Sequence, residues 1–328
     1  MLGYILRRIG IMIPTIFVIS VISFVVIQLP PGDFLTSYAM TLRQQGDNIA
    51  DDQIKALQER YGLNQPVYVQ YGKWIYGIVV NNDWGQSMEL QKPVRDLIWE
   101  RMGLTVILSL TALFVSWFVA IPLGVYSATH QYSIPDYIFT FISFVGIGTP
   151  GFMLALIIMW AAMNYLGMNV GGLFSEQFIN APWSWDKWVD MLKHLWIPVL
   201  ILALNGTAGG LRTTRANLLD ELNKPYVETA RAKGITEAKV IWKYPVRVAL
   251  NPFFSTVGWE LANLISGATL ISVVLSLETT GPMLLRALTS QDMYLAGSFL
   301  LLLSTLTVFG TLVSDIVLAW VDPRIRLS

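Results

Sequence analysis

The sequence predicts an all-α membrane protein with six transmembrane helices, and its composition and its apolar windows both support this fold class. The chain has 328 residues, of which 54% are hydrophobic and 13% are charged, and its mean hydropathy is +0.53. A soluble globular protein carries about 25% charged residues. One aqueous core cannot hide this much apolar surface, so lipid must solvate much of the chain.

Six windows are long and apolar enough to cross a bilayer, which takes about 20 residues at a rise of about 1.5 Å each. The first follows Arg7 and Arg8 and has no charge until Asp33, so its length favours a retained span over a cleaved signal peptide. The third contains Pro150, which predicts a kink. The windows cover residues 9–29, 105–127, 138–166, 195–211, 252–275 and 294–320.

Topology follows from the positive charges, which mark the cytoplasmic side of a membrane protein. Six spans that start inside place both termini inside, and Arg324 and Arg326 agree with this. Asp315, near the inner end of the sixth window, is expected to form an ion pair with these arginines. The loop 128–136 has no Lys or Arg, so its inside assignment depends only on counting the spans.

Residues 31–101 are too polar for lipid and form an external segment. Pro66 suits the first turn of one helix, and Pro93 opens another that leads into the second window. A further helix, capped by Asp51 or Asp52, is predicted before them. Their apolar faces suit the membrane interface. The segment is either a platform for an external partner or a structural cap.

Residues 167–193 form a second external segment, which is rich in tryptophan. Because tryptophan prefers the membrane–water interface, an aromatic belt is favoured over a ligand-binding cage. The tryptophans in this segment and just after it are Trp183, Trp185, Trp188 and Trp196.

Between residues 212 and 250 lies the basic segment, which holds eight of the chain's 22 lysines and arginines. Its pattern predicts two short helices joined by a glycine. Asn223-Lys224-Pro225 breaks the preceding helix, and the first short helix is expected over Tyr226–Lys233. Gly234 stands where a left-handed C-cap would lie. Thr236 can cap the second helix, and Pro245 ends it.

Packing must stabilise these two helices, since helices of two turns are marginal alone in water. Ile235 and Val240 suit a hydrophobic staple, and Ala230 and Ala232 permit close approach. The partner surface is either the protein's own inner face or a groove of another molecule, and these residues alone leave both open.

Three polar residues lie inside the apolar windows. Glu260 is a charge in the membrane, which costs about 2.5–3.5 kcal/mol on insertion, so it should face protein or water. It either lines a pathway for a polar or cationic solute or bonds to a neighbouring helix. Asn205 and Asn263 are either pathway groups or bonds between helices.

No catalytic residue and no metal site is predicted. The chain has no cysteine, and His130 and His194 are far apart without a second ligand, so interfacial roles are favoured for both. There is no GxxxxGK[ST] phosphate loop, so the chain has no evident means of binding ATP. A formal net charge of zero gives no sign of nucleic-acid binding.

The basic segment resembles the coupling loop of ABC-importer permeases, whose common pattern is Glu-Ala-Ala, three residues, then Gly. Glu228, Thr229, Ala230 and Gly234 stand at those positions, and YVETARAKG resembles the oligopeptide/dipeptide/nickel branch. Residues 243–250 depart from the branch pattern, which makes the branch's substrate a poor guide. Similarity elsewhere runs through LRRIGIMIPTIFVISVISFVVIQLPPGD, YGLNQPVYVQYGKWIYG, DWGQSM, PVRDLIWERMGLTVILS, TPGFMLAL and VDPRIR.

The resemblance implies one permease domain over residues 1–328 with type I ABC importer architecture, in the inner membrane of a bacterium or archaeon. Beyond the lipid bilayer, its implied partners are a second homologous permease chain, two ATP-binding subunits and an external solute-binding protein. ATP and Mg would lie in the partner subunits, and this chain would bind no cofactor and catalyse no reaction. The expected substrate is a peptide, with an oligosaccharide as the alternative. An ion-coupled secondary transporter is less favoured, because no internal repeat is evident.

The possible pathway-lining residues are Glu260, Asn263 and Asn205, and bonds between helices stay open as the alternative for them. The resemblance implies further roles. Small residues would let the spans approach a second permease; they are Gly206, Ala208, Gly209, Gly210, Ser266, Gly267 and Ala268. The residues expected to couple to the ATP-binding subunit are Tyr226, Glu228, Thr229, Ala230, Arg231, Lys233 and Gly234.

Overall fold

The computed structural model describes residues 2–28, 65–87, 89–167, 170–179, 181–267 and 269–321. Within these ranges the chain forms thirteen α-helices and one 3-10 turn at Glu176–Phe178. In chain order the α-helices are α1 Leu2–Gln28, α2 Val67–Asn81, α3 Val94–Thr129, α4 Ile134–Gly148, α5 Gly151–Leu166, α6 Trp185–Leu222, α7 Pro225–Ala232, α8 Glu237–Lys243, α9 Pro245–Ala249, α10 Asn251–Gly267, α11 Thr269–Val274, α12 Thr280–Thr289 and α13 Met293–Val321.

Among the described helices, α1, α3, α6 and α13 are each long and apolar enough to cross a membrane, and they match four of the six predicted windows. Helices α4 and α5 form a fifth candidate as a bent pair. The window 252–275 is divided between the 17-residue α10 and the six-residue α11. At about 26 Å, α10 is near the lower limit for a span, so the count of six is not confirmed.

The predicted kink in the third window is a sharp break. Helices α4 and α5 meet at 107°, and Pro150 stands at the junction as the residue that precedes α5. Thr149 is extended there, with φ −102° and ψ 125°, as steric clash with a following proline requires. The chain therefore turns at this point instead of continuing along one axis.

Helix α6 is much longer than its predicted window of 195–211. It has 38 residues, which correspond to about 57 Å, nearly twice the hydrocarbon thickness of a bilayer. Its middle turns are buried around Ile201 in the main apolar core, which α3, α5 and α11 complete. Its last turns therefore extend beyond this core and lead directly into the basic segment.

Glycines allow α3 and α6 to pack closely along their length. A Cβ on Gly124 would lie 2.5 Å from Thr214 Cβ, and a Cβ on Gly206 would lie 2.6 Å from Ser116 Oγ. Gly210 likewise faces Ala120. The expectation that these small residues serve a second permease is wrong for Gly206 and Gly210, because they face α3 of the same chain. The side chains of 266–268 lie outside the described residues.

The helices define two ends of the molecule. At the end that we call the basic end, the last turns of α3 and α6 pack against α8 and α9. At the opposite end, Val94 at the start of α3 packs with Phe299 near the start of α13. Helix α13 runs from there to the basic end, where Ser314 Oγ donates to Phe254 O near the start of α10.

The start of α1 also lies at the basic end. Arg8 Nη1 is 3.0 Å from Asp315 Oδ2 in α13. The predicted partners of Asp315, Arg324 and Arg326, lie outside the described residues, and the structure supplies Arg8 instead. The prediction chose arginines that are close to Asp315 in sequence. Arg8 is about 300 residues away in the chain, but its helix lies next to α13 in space.

The predicted helix after Pro66 is confirmed as α2. Its Trp74 packs against Phe24 of α1 and Leu301 of α13, so α2 covers these two helices. Helix α3 begins at Val94, directly after Pro93, as predicted. The helix expected at Asp51 or Asp52 lies outside the described residues.

Candidate functional site

The basic segment folds as two short helices joined at a glycine. Helix α7 starts at Pro225, and Gly234 follows its end with φ +73°. The Gly234 amide donates to Arg231 O at 2.9 Å. The predicted left-handed C-cap is therefore present. A Cβ at Gly234 would meet no atom within 4 Å, so the backbone conformation alone favours glycine there.

The underside of this helix pair is apolar. Val227 and Val240 are fully buried and Ala230 is 5% exposed, and Ile235 packs against them. The predicted staple is confirmed. Thr236 stands at the N-cap position of α8, but its side chain makes no capping hydrogen bond. We call the unit of α7, residues 233–236 and α8 the knob.

Ala230 faces inward, which changes its expected role. Its close approach is to Val227 and Val240 of the same chain, so it supports the knob from beneath and does not present a surface to another molecule. This face joins the two helices of the knob to each other, and the opposite face is exposed. Docking of the exposed face on another molecule stays a prediction.

The knob is joined to the body by a second apolar cluster. Val246 and Ala249 of α9 are buried against Leu218 of α6 and against Val125 and Ala128 of α3. Ile241 of α8 also packs against this cluster. A displacement of the knob would therefore act directly on the ends of α3 and α6, since packed side chains transmit it as a rigid body.

The outer face of the knob carries polar side chains. Among the described residues, Glu228 has neither a hydrogen bond nor an ion pair, and it is exposed. Thr229 Oγ1 donates to Pro225 O at 2.9 Å. The Tyr226 hydroxyl donates to the Glu221 carboxylate, and burial together with this bond raises the pKa of Tyr226. The exposed residues of this face that were predicted to couple are Tyr226, Glu228, Thr229, Arg231, Lys233 and Gly234.

An exposed ion pair links the two helices of the knob. Arg231 Nη2 lies 2.7 Å from Glu237 Oε1, and Arg231 Nε donates to both oxygens of that carboxylate at 3.1–3.2 Å. The Arg231 guanidinium holds the pKa of Glu237 below its usual value. The pair bridges the turn at Gly234 from one helix to the other.

A buried ion pair links the loop 128–136 to α6. Arg215 Nε and Nη2 each bind a different oxygen of Asp136 at 2.9 Å. Asp136 is 2% exposed, and its Oδ2 also accepts the Tyr132 amide at 3.0 Å. The loop that was assigned only by counting spans thus lies at the same end as the basic segment.

A cavity of about 460 Å³ lies between α3, α6 and α10. It contains two of the three polar residues that were predicted to line a pathway, Asn205 and Glu260. The side chain of Asn263 lies outside the described residues. Further polar groups of the wall are Ser116, Thr213 and Thr256.

A second cavity of about 660 Å³ lies between α4 and α6. Arg212 lines it and lies over the Phe144 ring, 4.8 Å from the ring centre. Gly209 and Thr213 line both cavities. Sequence reasoning counted Arg212 only as a topological charge. A pattern in the sequence could have pointed to Arg212. Residues 205, 209 and 213 are four positions apart, so they lie on one face of a helix, and Arg212 lies next to that face.

One tryptophan near the start of α6, Trp183, lies with Phe174 against a lysine of the chain itself. Lys187 Nζ lies 4.8 Å from the Phe174 ring centre and 5.2 Å from that of Trp183, and it donates to Ala181 O at 2.6 Å. Trp185 is 80% exposed. Lys187 occupies the aromatic site, which favours the structural interpretation over a ligand cage.

Together these features describe a class of protein: a polytopic membrane protein with open cavities between its helices and an exposed knob at one end. Residues 120–327 match the family described as binding-protein-dependent transport system inner membrane component. Residues 1–111 match the N-terminal part of binding-protein-dependent transport system membrane components. The chain belongs to this family of inner-membrane, multi-pass transport components.

Several characterised relatives are similar over their whole length. An oligopeptide transport system permease protein, AppB, of Bacillus subtilis is 35% identical over 99% of this chain and 100% of its own. A dipeptide transport system permease protein, DppB, of Alkalihalophilus pseudofirmus is 31% identical over 99% and 100%. The DppB protein of Escherichia coli K12 is 30% identical over 99% of both chains.

One solved structure supports the fold. A chain of the MetNI methionine ABC transporter, in inward-facing conformations, superposes with a TM-score of 0.54 at 15% identity. The match covers 69% of this chain and 96% of that chain. The helical fold of that chain is therefore shared over the matched part of this chain.

Proposed function

We propose that this chain is a permease subunit of an ATP-driven, binding-protein-dependent importer of peptides and forms half of the translocation pathway. Relatives that are similar over the full length are named for oligopeptide and dipeptide transport, which favours a peptide over an oligosaccharide. A second, homologous permease chain supplies the other half. ATP and Mg are bound by two partner subunits, and this chain binds no cofactor.

The observation that carries the proposal is the knob. Its apolar underside is buried around Val227 and Val240, while Glu228 on its outer face has no intrachain partner among the described residues. An ATP-binding subunit docks on this face. Its movement passes through α8 and α9 to α3 and α6, and these two helices also wall the cavity that contains Asn205 and Glu260.

Each residue of the knob has a proposed role. Glu228 makes a charged contact with the ATP-binding subunit, and Tyr226, Thr229, Arg231 and Lys233 surround it. Gly234 sets the angle between the helices, and Ala230 supports the face from beneath. In the pathway, Glu260, Asn205 and Asn263 contact the solute.

Type I architecture with six spans and both termini in the cytoplasm completes the proposal. The grouping of Arg8, Asp315 and the basic segment at one end supports it. Positive charge favours the cytoplasmic side for that end. The opposite end, with the segments 31–101 and 167–193, receives the external solute-binding protein.

The coupling role is tested in the assembled complex. Glu228→Lys should abolish the increase in ATP hydrolysis that a loaded binding protein causes, because the docking charge is reversed. Asp220→Lys is the control, since Asp220 is also exposed and acidic at the basic end but lies outside the knob. Unchanged stimulation in Glu228→Lys would contradict the proposal.

The sidedness is tested by labelling, for which a chain without cysteine is convenient. A membrane-impermeant maleimide added to right-side-out vesicles should label Glu176→Cys and should not label Glu228→Cys. Inverted vesicles should give the reverse. Labelling of residue 228 from outside would contradict the topology.

A further inference from the structure

Glu260 presents an unpaired negative charge to the first cavity. Among the described residues it has neither a hydrogen-bond partner nor an ion-pair partner. Among the described residues, the wall of this cavity contains no lysine, no arginine and no second carboxylate. A carboxylate that has no partner within the chain is available to bind a cation that enters this cavity.

The second cavity carries the opposite charge. Arg212 lines it, and no described carboxylate lies within ion-pair distance of this guanidinium. Arg215 also lines it, but both of its bonding nitrogens are engaged by Asp136. The free positive charge in this wall is therefore that of Arg212, and a guanidinium favours a carboxylate as its ligand.

The two cavities adjoin each other along α6. Gly209 and Thr213 line both of them, so no bulky side chain of α6 separates them. From Asn205, which lines the first cavity together with Glu260, to Arg212 the helix α6 rises by about 10 Å. A chain of about three extended residues covers the same distance.

We propose that the two adjoining cavities form this chain's share of a binding site for a zwitterionic peptide, with the peptide ammonium group at Glu260 and its carboxylate at Arg212. This deepens the proposed function and rests on it, since it assumes that the cargo is a peptide. The two charges select the ends of the peptide. The apolar wall at Trp117 and Phe253 accepts side chains without hydrogen-bond discrimination.

The test measures peptide binding to the complete permease–ATPase complex in nanodiscs without the binding protein. The probes are trialanine, N-acetyl-trialanine and trialanine amide, which differ only in their terminal charges. Wild type should bind trialanine about tenfold more tightly than either blocked peptide, since a factor of ten corresponds to about 1.4 kcal/mol.

The variants should give a crossed pattern. Glu260→Gln should lose about tenfold in affinity for trialanine and for the amide, and it should bind the acetylated peptide as wild type does. Arg212→Gln should lose about tenfold for trialanine and for the acetylated peptide, and it should bind the amide normally. Glu176→Gln and Arg95→Gln are the matched controls, because both residues are exposed and lie outside the cavities.

Three outcomes would overturn the inference. They are equal losses for all three peptides, a pattern in which the two variants exchange their preferences, and the absence of saturable trialanine binding to wild type below about 10 mM. The retained affinity of each variant for one blocked peptide shows that it is folded. Stimulation of wild-type ATP hydrolysis by a loaded binding protein is measured separately, so failure of this inference is distinct from failure of the proposed function.

Discussion

The opposite end of the molecule and the knob use carboxylates in different ways. At the opposite end Asp292 is fully buried, and its carboxylate accepts hydrogen bonds from Ser87 Oγ at 2.6 Å and from the Glu89 amide at 3.2 Å. At the basic end the buried residues of the knob are apolar, and Glu228 points outward without a partner among the described residues.

Other charged side chains at the opposite end are also bonded within the chain. Asp190 accepts from the Ser175 amide at 2.7 Å and from Ser175 Oγ at 2.6 Å. Arg286 binds Glu89 at 2.6 Å. Charges that are already bonded inside the chain stabilise loops, whereas unpaired charges on a firmly packed support are available to another molecule. The comparison therefore separates buried carboxylates that hold loops in place from an exposed carboxylate on the knob.

The largest effect is expected where a charge enters the apolar support of the knob. Val227→Asp places an unpaired carboxylate at a fully buried position, which should cost about 3–5 kcal/mol locally and unfold the knob. Co-purification of the ATP-binding subunits should be lost. Val248→Asp, at a position that is 42% exposed, is the control. If the ATP-binding subunits still co-purified normally with Val227→Asp, docking would not depend on the apolar support of the knob.

A smaller effect, on stability alone, is expected at the opposite end. Asp292→Ala leaves the Ser87 hydroxyl and the Glu89 amide without their acceptor, which should lower the free energy of unfolding by about 2–4 kcal/mol. Chemical denaturation in detergent measures this loss. Asp96→Ala, at an exposed position in the first turn of α3, should cost less than about 1 kcal/mol.

A second measurement on Asp292→Ala tests whether this site affects docking at the knob. The Asp292→Ala complex should still bind its ATP-binding subunits, because the knob is distant from this site. Dissociation of those subunits would show that the two ends are not separate in their roles.

Next in size is the backbone conformation at Gly234. Gly234→Val must hold a β-branched residue at φ +73°, which should cost about 1–2 kcal/mol, whereas Gly234→Asn tolerates this region. The Val variant should bind the ATP-binding subunit about tenfold more weakly, as measured by surface plasmon resonance. Equal affinities for the two variants would show that the left-handed turn is not needed for docking.

The smallest effect is expected at the exposed pair Arg231–Glu237. A double-mutant cycle with Arg231→Gln and Glu237→Gln should give a coupling energy below about 1 kcal/mol at neutral pH. The folded-state pKa of Glu237 lies below its usual 4.5. The contribution of the pair is therefore complete above 4.5 and is lost as pH falls through the lowered value. A coupling energy that grew on acidification would contradict this sign.

Much of the basic segment could be predicted because its signals are local. Pro225 sets the start of α7, Gly234 supplies the left-handed turn, and the Ile235–Val240 staple fixes the entry into α8. Each signal depends on neighbours within a few residues. By contrast, the direction in which Ala230 faces depends on where the knob packs, and the sequence left that open.

Long-range partners could not be predicted for the same reason. Arg8 with Asp315 and Arg215 with Asp136 join helices that are distant in the chain. The division of the window 252–275 into α10 and α11 was also missed. Hydropathy measures the apolar content of a window and carries no information on where a helix stops inside it.

By itself, the sequence determined that this protein is a helical membrane protein with a basic helix–glycine–helix segment, because composition and short-range backbone preferences are sufficient for that. Only the tertiary structure decided that Glu260 and Arg212 have no intrachain counter-ion among the described residues while Asp136 and Asp315 do. The physical reason is that a charge is free or paired according to which helices pack beside it, and packing is a property of the whole chain.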